Sequence, residues 1–260
     1  VRETKDQVTL RVYNGEVWDD WVSFCVEQNY SGLENLSWIP GNVGASVVQN
    51  IGAYGIEVKD AVLEVEALNI KSGRIEIFNN MQCDFGYRSS IFKTTQKDQF
   101  IILSVTFKLS KKFCPVLNYS GIKSALKNCE ELSSKTVREA IINIRKSKLP
   151  DPRELGNAGS FFKNPVITKK HFENLHKTYH DLKFYEISDN EYKIPAGWLI
   201  DKCGWKGRRI GAVGTYSQQA LIIVNYGNAT GLKIFEFSQK IQTAVKKKFD
   251  IILEEEVRIV

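Results

Sequence analysis

Four short runs hold the residues whose types and spacing could do chemistry. The first, Ile39 to Gly55 (IPGNVGASVVQNIGAYG), places four of the chain's 18 glycines among small and amide residues. Glycine reaches positive φ and lets backbone N–H groups approach a ligand with no Cβ in the way. Such a run suits a phosphate or the edge of a flat cofactor. A plain multi-turn connection is an equal reading, and the run matches neither G-x-G-x-x-G nor a P-loop. The second run, Cys83 to Lys93 (CDFGYRSSIFK), sets Arg88 between Tyr87 and Ser89. A guanidinium can grip a carboxylate bidentately, although an exposed arginine at a strand end is the plainer reading. In the third, Gly156 to Pro165 (GNAGSFFKNP), Ser160 stands between a glycine and two phenylalanines, where a turn could present it. An ordinary loop serine is at least as good a reading. No G-x-S-x-G surrounds it and no histidine is placed as its base, so serine hydrolysis is a poor fit. The fourth is Glu254-Glu255-Glu256 followed by Val257 and Arg258, which alone reads as solvated surface. His176 and His180 have the spacing of a helical metal pair, with His171 nearby. No acidic or cysteine ligand pattern accompanies them, so no metal site is expected.

Elements must position these runs, and three zones are legible. From Val1 to about Lys112 the chain reads mostly as strands. Gln7 to Tyr13 alternates polar and apolar residues and meets the hairpin-type signal Asn14-Gly15. Trp18, Trp21, Val22, Cys25 and Val26 have helical spacing. Ala61 to Ile70, Arg74 to Phe78 and Phe100 to Leu109 are β-rich, the first two joined at Ser72-Gly73. A second zone, about Phe113 to Leu149, becomes helical from Ser133 through Ile144 to Arg145 and stops at Pro150-Asp151-Pro152. That proline pair is the best domain boundary. The third zone alternates: a strand at Val166 to Thr168 leading into a helix, a short helix from Ala196 to Cys203, a strand from Ala220 to Asn225, and an amphipathic helix from Leu232 to Phe249. Ile251 to Val260 is again β-like. The fold class is therefore α+β, in two packed units.

Composition bounds the function. With 43% hydrophobic and 25% charged residues over 260 positions, the chain is globular rather than disordered. No apolar run approaches the ~20 residues of a membrane helix. Val1 to Trp18 has no apolar core behind a basic end, so it does not read as a signal peptide and looks like a chain entered midway. The net charge of +6 is spread out, and Lys246-Lys247-Lys248 beside Asp250 reads as a solvated helix end rather than a nucleic-acid patch. Mild positive charge suits an anionic small molecule. Five scattered cysteines with no C-x-x-C fit reduced thiols in a cytoplasmic protein.

Taken together and in order, the four runs resemble the UDP-N-acetylenolpyruvoylglucosamine reductase (MurB) family, flavoenzymes of peptidoglycan precursor synthesis. The resemblance adds Gly32 to Leu36 (GLENL) and Ala196 to Cys203 (AGWLIDKC) and spans nearly the whole chain. Pro115 to Tyr119 resembles the tyrosine-bearing segment of the longer-loop subgroup. It implies an α+β fold with the second FAD-binding subdomain of the vanillyl-alcohol-oxidase-like type plus an α+β substrate-binding domain. The boundaries implied are 1–150 for the flavin side (the second half of the flavin module), 151–250 for substrate, and 251–260 for a C-terminal strand returning toward the flavin module. It implies FAD and NADPH as cofactors, since no side chain carries a hydride. The substrate implied is UDP-N-acetylglucosamine enolpyruvate, acted on by a cytoplasmic monomer without nucleic-acid or membrane partners.

Carried over by motif, Arg88 and Glu256 stabilise the enol-like intermediate, and Ser160 protonates the carbon. A glutamate serves there only when it carries or shares a proton. Tyr119, Lys148, Asn164 and Gln219 match substrate-binding positions. Pro40, Gly41, Gly44, Ser46, Gln49, Asn50, Gly52, Ala53 and Tyr54 match flavin-side positions, as do Arg145 and Arg258. Two departures stand out: Glu255 occupies a position usually proline, and Tyr216 one often histidine. The family's N-terminal flavin subdomain, with its own Gly-rich loop, is not in the sequence as it stands. Two other readings accompany this one, a fragment that binds only the UDP-sugar and a different FAD oxidoreductase of the same superfamily.

Overall fold

Alternation in the first strand translates directly into burial. The computed structural model describes residues 1–119, 121–127, 129 and 131–259. In β2 (Gln7–Tyr13), Val8, Leu10 and Val12 are buried while Gln7, Arg11 and Tyr13 face solvent. Beside it runs the short β1 (Arg2–Glu3). The helical spacing that follows forms α1 (Trp18–Glu27), with all five apolar stripe residues buried. Next come α2 (Val43–Val48), β3 (Gly52–Ala53), β4 (Ile56–Glu57), β5 (Val62–Asn69), β6 (Ile75–Asn79) and β7 (Phe100–Ser110). α3 (Ile122–Ala125) and α4 (Ser134–Lys148) complete this half.

The chain divides into two compact units between Arg145 and Lys146. In the first, an antiparallel sheet has the order β1-β2-β7-β5-β6. β7 sits in the middle with Ile102, Val105, Phe107 and Leu109 buried, and Trp18 and Trp21 lie against Phe107 at 6.1 and 5.6 Å between ring centroids. Asn14-Gly15 makes no hairpin. Asn14 instead donates through its backbone N–H and Nδ2 to Leu103 and Ile102 of β7, so the chain leaves the sheet into α1. Ser72-Gly73 does join a hairpin, β5 to β6.

The second unit carries β8 (Gly156–Ser160), β9 (Val166–Thr168), α5 (Lys169–Thr178), β10 (Tyr185–Ser188), β11 (Glu191–Lys193) and α6 (Ala196–Lys202). β12 (Arg209–Ile210), β13 (Val213–Thr215), β14 (Ile222–Asn225) and α7 (Gly231–Phe249) follow. Two antiparallel sheets result, β12-β13-β14-β8 and β10-β11-β9. Antiparallel sheets with helices packed on them are an α+β architecture, as expected from the sequence. Thr168 and Thr230 accept the His171 and Lys233 N–H groups and so cap α5 and α7. The β-like closing stretch is not a strand. Ile251 and Leu253 are buried, and the segment forms a single bridge, Phe162 with Glu255, while Val260 lies outside the described residues. Of the histidines, His171 hydrogen-bonds the Phe249 carbonyl at 2.9 Å and His176 stacks on Phe172.

Cys25 and Cys83 are buried, whereas Cys114 is exposed. Burial pushes the Cys83 thiol up to about 12 and drives Cys25 still higher, helped by the Glu34 charge. Because the thiolate is the nucleophile, a disulfide reagent at pH 8 is expected to label Cys114 in the native chain and Cys25 and Cys83 only after unfolding, read by peptide mass spectrometry. Truncating Phe107 to Ala is expected to cost about 3–5 kcal/mol in urea unfolding, because two tryptophans lose their common packing partner.

Candidate functional site

In the first unit the Gly-rich run is not an open loop. Its backbone forms α2 and the β3–β4 hairpin, and side chains hold the rest. Asn50 is fully buried at a left-handed φ of 47°. Its Nδ2 donates to Glu57 Oε2 and the Gly86 carbonyl, both at 2.9 Å, while its Oδ1 accepts the Lys59 N–H at 3.1 Å. Ser46 is also buried and donates to the Val43 carbonyl, and Gly44 packs against Asn14. These three residues build the run. Gln49 accepts from Lys93 Nζ at 3.2 Å, and Pro40 and Gly41 lie near its surface end.

Arg88 is brought onto this run. From a left-handed backbone at φ 53°, its Nη2 donates to the Gly52 carbonyl at 2.7 Å and its guanidinium lies over the Tyr87 ring, 5.2 Å from the centroid. Gly52 makes that approach feasible. A Cβ there would meet Glu57 Cγ at 2.9 Å, Arg88 Nη1 at 3.0 Å and the Ile56 carbonyl at 3.1 Å. The run ends at Ala53 and Tyr54. Tyr54 (φ 50°) meets Tyr119 edge-on at 5.4 Å, and its carbonyl accepts Asn35 Nδ2 at 2.8 Å. Burial raises the Tyr54 phenol, with the adjacent Arg145 guanidinium pulling the other way. Arg145 itself is lowered by burial, offset by Tyr54 and Asp19, and its Nε donates to the Trp38 carbonyl at 3.1 Å. Arg88, Tyr119 and Arg145 thus each contact the Pro40–Tyr54 run.

In the second unit β8 presents Ser160 at its last position, opposite Ile222 of β14. Gly159, at φ 72°, precedes it, a left-handed turn-in that a β-carbon would strain. One residue on, the Phe161 N–H donates to the Leu221 carbonyl at 2.9 Å and the Phe161 carbonyl accepts the Glu256 N–H at 2.8 Å. The Glu256–Phe161 bond and the Lys163 N–H, which donates to the Glu254 carbonyl at 2.9 Å, flank the Phe162–Glu255 bridge and tie the closing segment to the residues just after Ser160. Glu255, one residue before Glu256, accepts from Gln242 Nε2 of α7 at 2.8 Å. The Asn164 Oδ1 accepts the Ala196 N–H that opens α6. Gln219 sits in the β13–β14 turn, its Oε1 facing Gly197 of the same helix and accepting the Leu221 N–H at 3.4 Å. Asn164 and Gln219 thereby both lie against the start of α6. Lys148 is exposed at the end of α4 and Arg258 is exposed near the chain's end. A groove between the β12–β13 turn and α7, lined by Ile210, Val213, Lys233, Phe237 and Lys240, contains none of these residues.

Sequence reasoning missed the residues that support the run. Asn35, Glu57, Asp19 and Arg138 hold it, and their only signal was that Asn35 lies in the GLENL motif. Asp19 reads in sequence as an acidic residue in a helix's first turn, a common favourable placement.

Comparison with known proteins identifies the family. A family model described as UDP-N-acetylenolpyruvoylglucosamine reductase, C-terminal domain, matches residues 151–260, and one described as FAD binding domain matches 1–79. A UDP-N-acetylenolpyruvoylglucosamine reductase from Flavobacterium johnsoniae is 49% identical over all of this chain and 78% of its own length. One from Bacteroides fragilis is 45% identical with the same coverage. A crystal structure of the corresponding reductase from Thermus caldophilus matches 96% of this chain and 71% of that one, at 24% identity and a TM-score of 0.66, a likeness of fold.

Because a β-carbon at Gly52 would displace either the hairpin or Arg88, Gly52→Ala is expected to cost about 1–3 kcal/mol of stability in denaturant unfolding. Chemical shifts of the Arg88 guanidinium should move with it. An unperturbed Arg88 signal would show that the contact is incidental.

Proposed function

The chain belongs to the UDP-N-acetylenolpyruvoylglucosamine reductase family, and from that premise we propose that it reduces UDP-N-acetylglucosamine enolpyruvate to UDP-N-acetylmuramate in peptidoglycan precursor synthesis, with FAD and NADPH. Residues 1–150 form the flavin-binding side, 151–250 the substrate-binding domain, and 251–260 supply Glu256 and Arg258. The protein works as a cytoplasmic monomer. Among the described residues no helix is long and apolar enough to cross a membrane.

The residues present fit FAD. The Pro40–Tyr54 run turns Ser46 and Asn50 inward, leaving backbone and small residues at its surface, with a guanidinium at Arg145 and an aromatic at Tyr54. Bound FAD, reduced by NADPH, supplies the hydride that no side chain can carry. The remaining work falls to the protein. Lys148 and Tyr119 bind the anionic and flat parts of the UDP-sugar, and Asn164 and Gln219 orient it by hydrogen bonds. As hydride reaches the terminal enolpyruvyl carbon, negative charge spreads from the neighbouring carbon into the carboxylate. Arg88, preorganised by its bond to Gly52, stabilises that charge, a role it shares with Glu256. Ser160 Oγ then gives its proton to the carbon; serine is a weak acid, but a carbanion-like centre is basic enough to take it.

What supports this reading is the Glu256–Phe161 backbone bond, which ties the segment of the candidate carboxylate to the residue after the candidate proton donor. In the flavin-loaded protein, Ser160→Ala is expected to leave bleaching of the flavin by NADPH intact while lowering turnover of the enolpyruvyl substrate by about 10²–10⁴-fold. Stopped-flow absorbance separates the two half-reactions, and normal turnover by the mutant would place the acid elsewhere.

A further inference from the structure

Asp19 and Arg138 take no part in the chemistry above, yet both point at the start of the Gly-rich run. An aspartate in the first turn of a helix ordinarily serves that helix. Here the carboxylate is engaged elsewhere. Asp19 Oδ1 accepts the Trp38 N–H at 2.5 Å and Arg138 Nη1 at 2.6 Å, and Oδ2 accepts Arg138 Nη2 at 2.9 Å. On the other side of the same residue, the Trp38 carbonyl accepts Arg145 Nε at 3.1 Å. Arg138 and Arg145 lie seven residues apart on α4, two turns along one face. The backbone polar groups of Trp38 are thus gripped by charged side chains on both sides.

Trp38 needs the grip. Its φ is 58°, the left-handed region, where a bulky L-residue is strained and glycine is not. Immediately after it come Ile39 and Pro40, and proline further restricts the residue before it. The direction in which the chain enters the Gly-rich run is therefore set at Trp38.

We propose that Asp19, held by Arg138, is a positioning residue for flavin binding: it locks the Trp38 backbone in its left-handed conformation and so aims both the Pro40–Tyr54 run and Arg145 at the cofactor. The proposal rests on the FAD reading above. Burial alone would raise the Asp19 carboxyl, but the Arg138 hydrogen bond, the Trp38 N–H and the charges of Arg138 and Arg145 outweigh it and hold the group below the usual carboxylate range. A carboxylate kept ionised in place is what charge-assisted bonds to the backbone require.

The test is a double-mutant cycle in the full chain, with hydrogen exchange of the amides of residues 38–43 in flavin-free protein and FAD affinity by fluorescence titration. Asp19→Asn is expected to speed that exchange and to weaken FAD, each by about tenfold, and in a Trp38→Gly background the same change is expected to have less than about a threefold effect, because coupled sites are non-additive. Glycine adopts the left-handed conformation unaided, so the clamp becomes unnecessary there. Should Asp19→Asn fail to fold, Arg138→Lys, which keeps the charge but loses the fork, is read the same way. The proposal is overturned if exchange and FAD affinity are unchanged, or if the effect is undiminished in the Trp38→Gly background. A wild-type chain that binds no FAD overturns the functional reading together with this proposal, whereas a variant that binds FAD normally overturns the clamp alone.

Discussion

Every buried backbone N–H and C=O needs a partner, and a run with only one short helix and one two-residue hairpin cannot supply enough of its own. That constraint organises the first unit. Asparagine meets it repeatedly, because its amide offers two donors and an acceptor at a short reach. Asn35 Nδ2 ties the Tyr54 and Val116 carbonyls together, Asn50 joins Glu57, Gly86 and the Lys59 amide, and Asn42 reaches back to the Gly15 carbonyl. The Ser90 hydroxyl satisfies the Val48 carbonyl. With those bonds in place, the surface of the run is left as backbone and small residues, the form of protein surface suited to a flat, anionic cofactor.

The second unit solves a different problem with the same means. Ser160 lies at the end of a strand whose ladder with β14 shifts register between Ile222 and Val224, so the sheet alone does not define what lies beside it. The closing segment does, through the Lys163–Glu254 and Glu256–Phe161 backbone bonds. Burial of Ile251 and Leu253 anchors that segment, and Gln242 bonds the Leu253 carbonyl and Glu255 from α7. The acidic Glu255 is accommodated because the amide of Gln242 gives its carboxylate a donor.

Most elements were legible because their burial follows local periodicity. α1, α7 and the strands β2, β5 and β7 each bury the face that their sequence marks, whereas Ile75 and Ile77 of β6 stay exposed. The failures share a cause. Asn14-Gly15 has hairpin chemistry, but the bonds Asn14 makes to β7 send the chain into a helix. Gly156 to Ser160 contains two glycines and no apolar alternation, and it becomes a strand only because β14 offers a partner. Ile251 to Val257 is β-like in composition but finds just one bridging position. In each case a non-local partner decided, which no window of sequence contains. The candidate site residues have another source, motif order over the whole chain, whereas Asp19 and Arg138 belong to no motif and emerged only from their contacts.

Strain marks where positioning matters. Among the described residues nine non-glycine positions have positive φ, and six of them are Asn or Asp, the types that tolerate it best. The three others are Trp38, Tyr54 and Arg88. They fall at the start of the Gly-rich run, at its end, and on the arginine that packs against its middle. Each is held by bonds that a relaxed loop would not need: Trp38 by Asp19 and Arg145, Tyr54 through its carbonyl by Asn35, and Arg88 by its own side chain on the Gly52 carbonyl. Strained conformations persist only where their surroundings over-determine them. A bulky residue in the left-handed region at a connection of no consequence would be replaced by glycine or asparagine at no loss. Finding tryptophan, tyrosine and arginine there instead implies that side chain and backbone direction are both required at those three points, which is the condition a preorganised binding surface imposes.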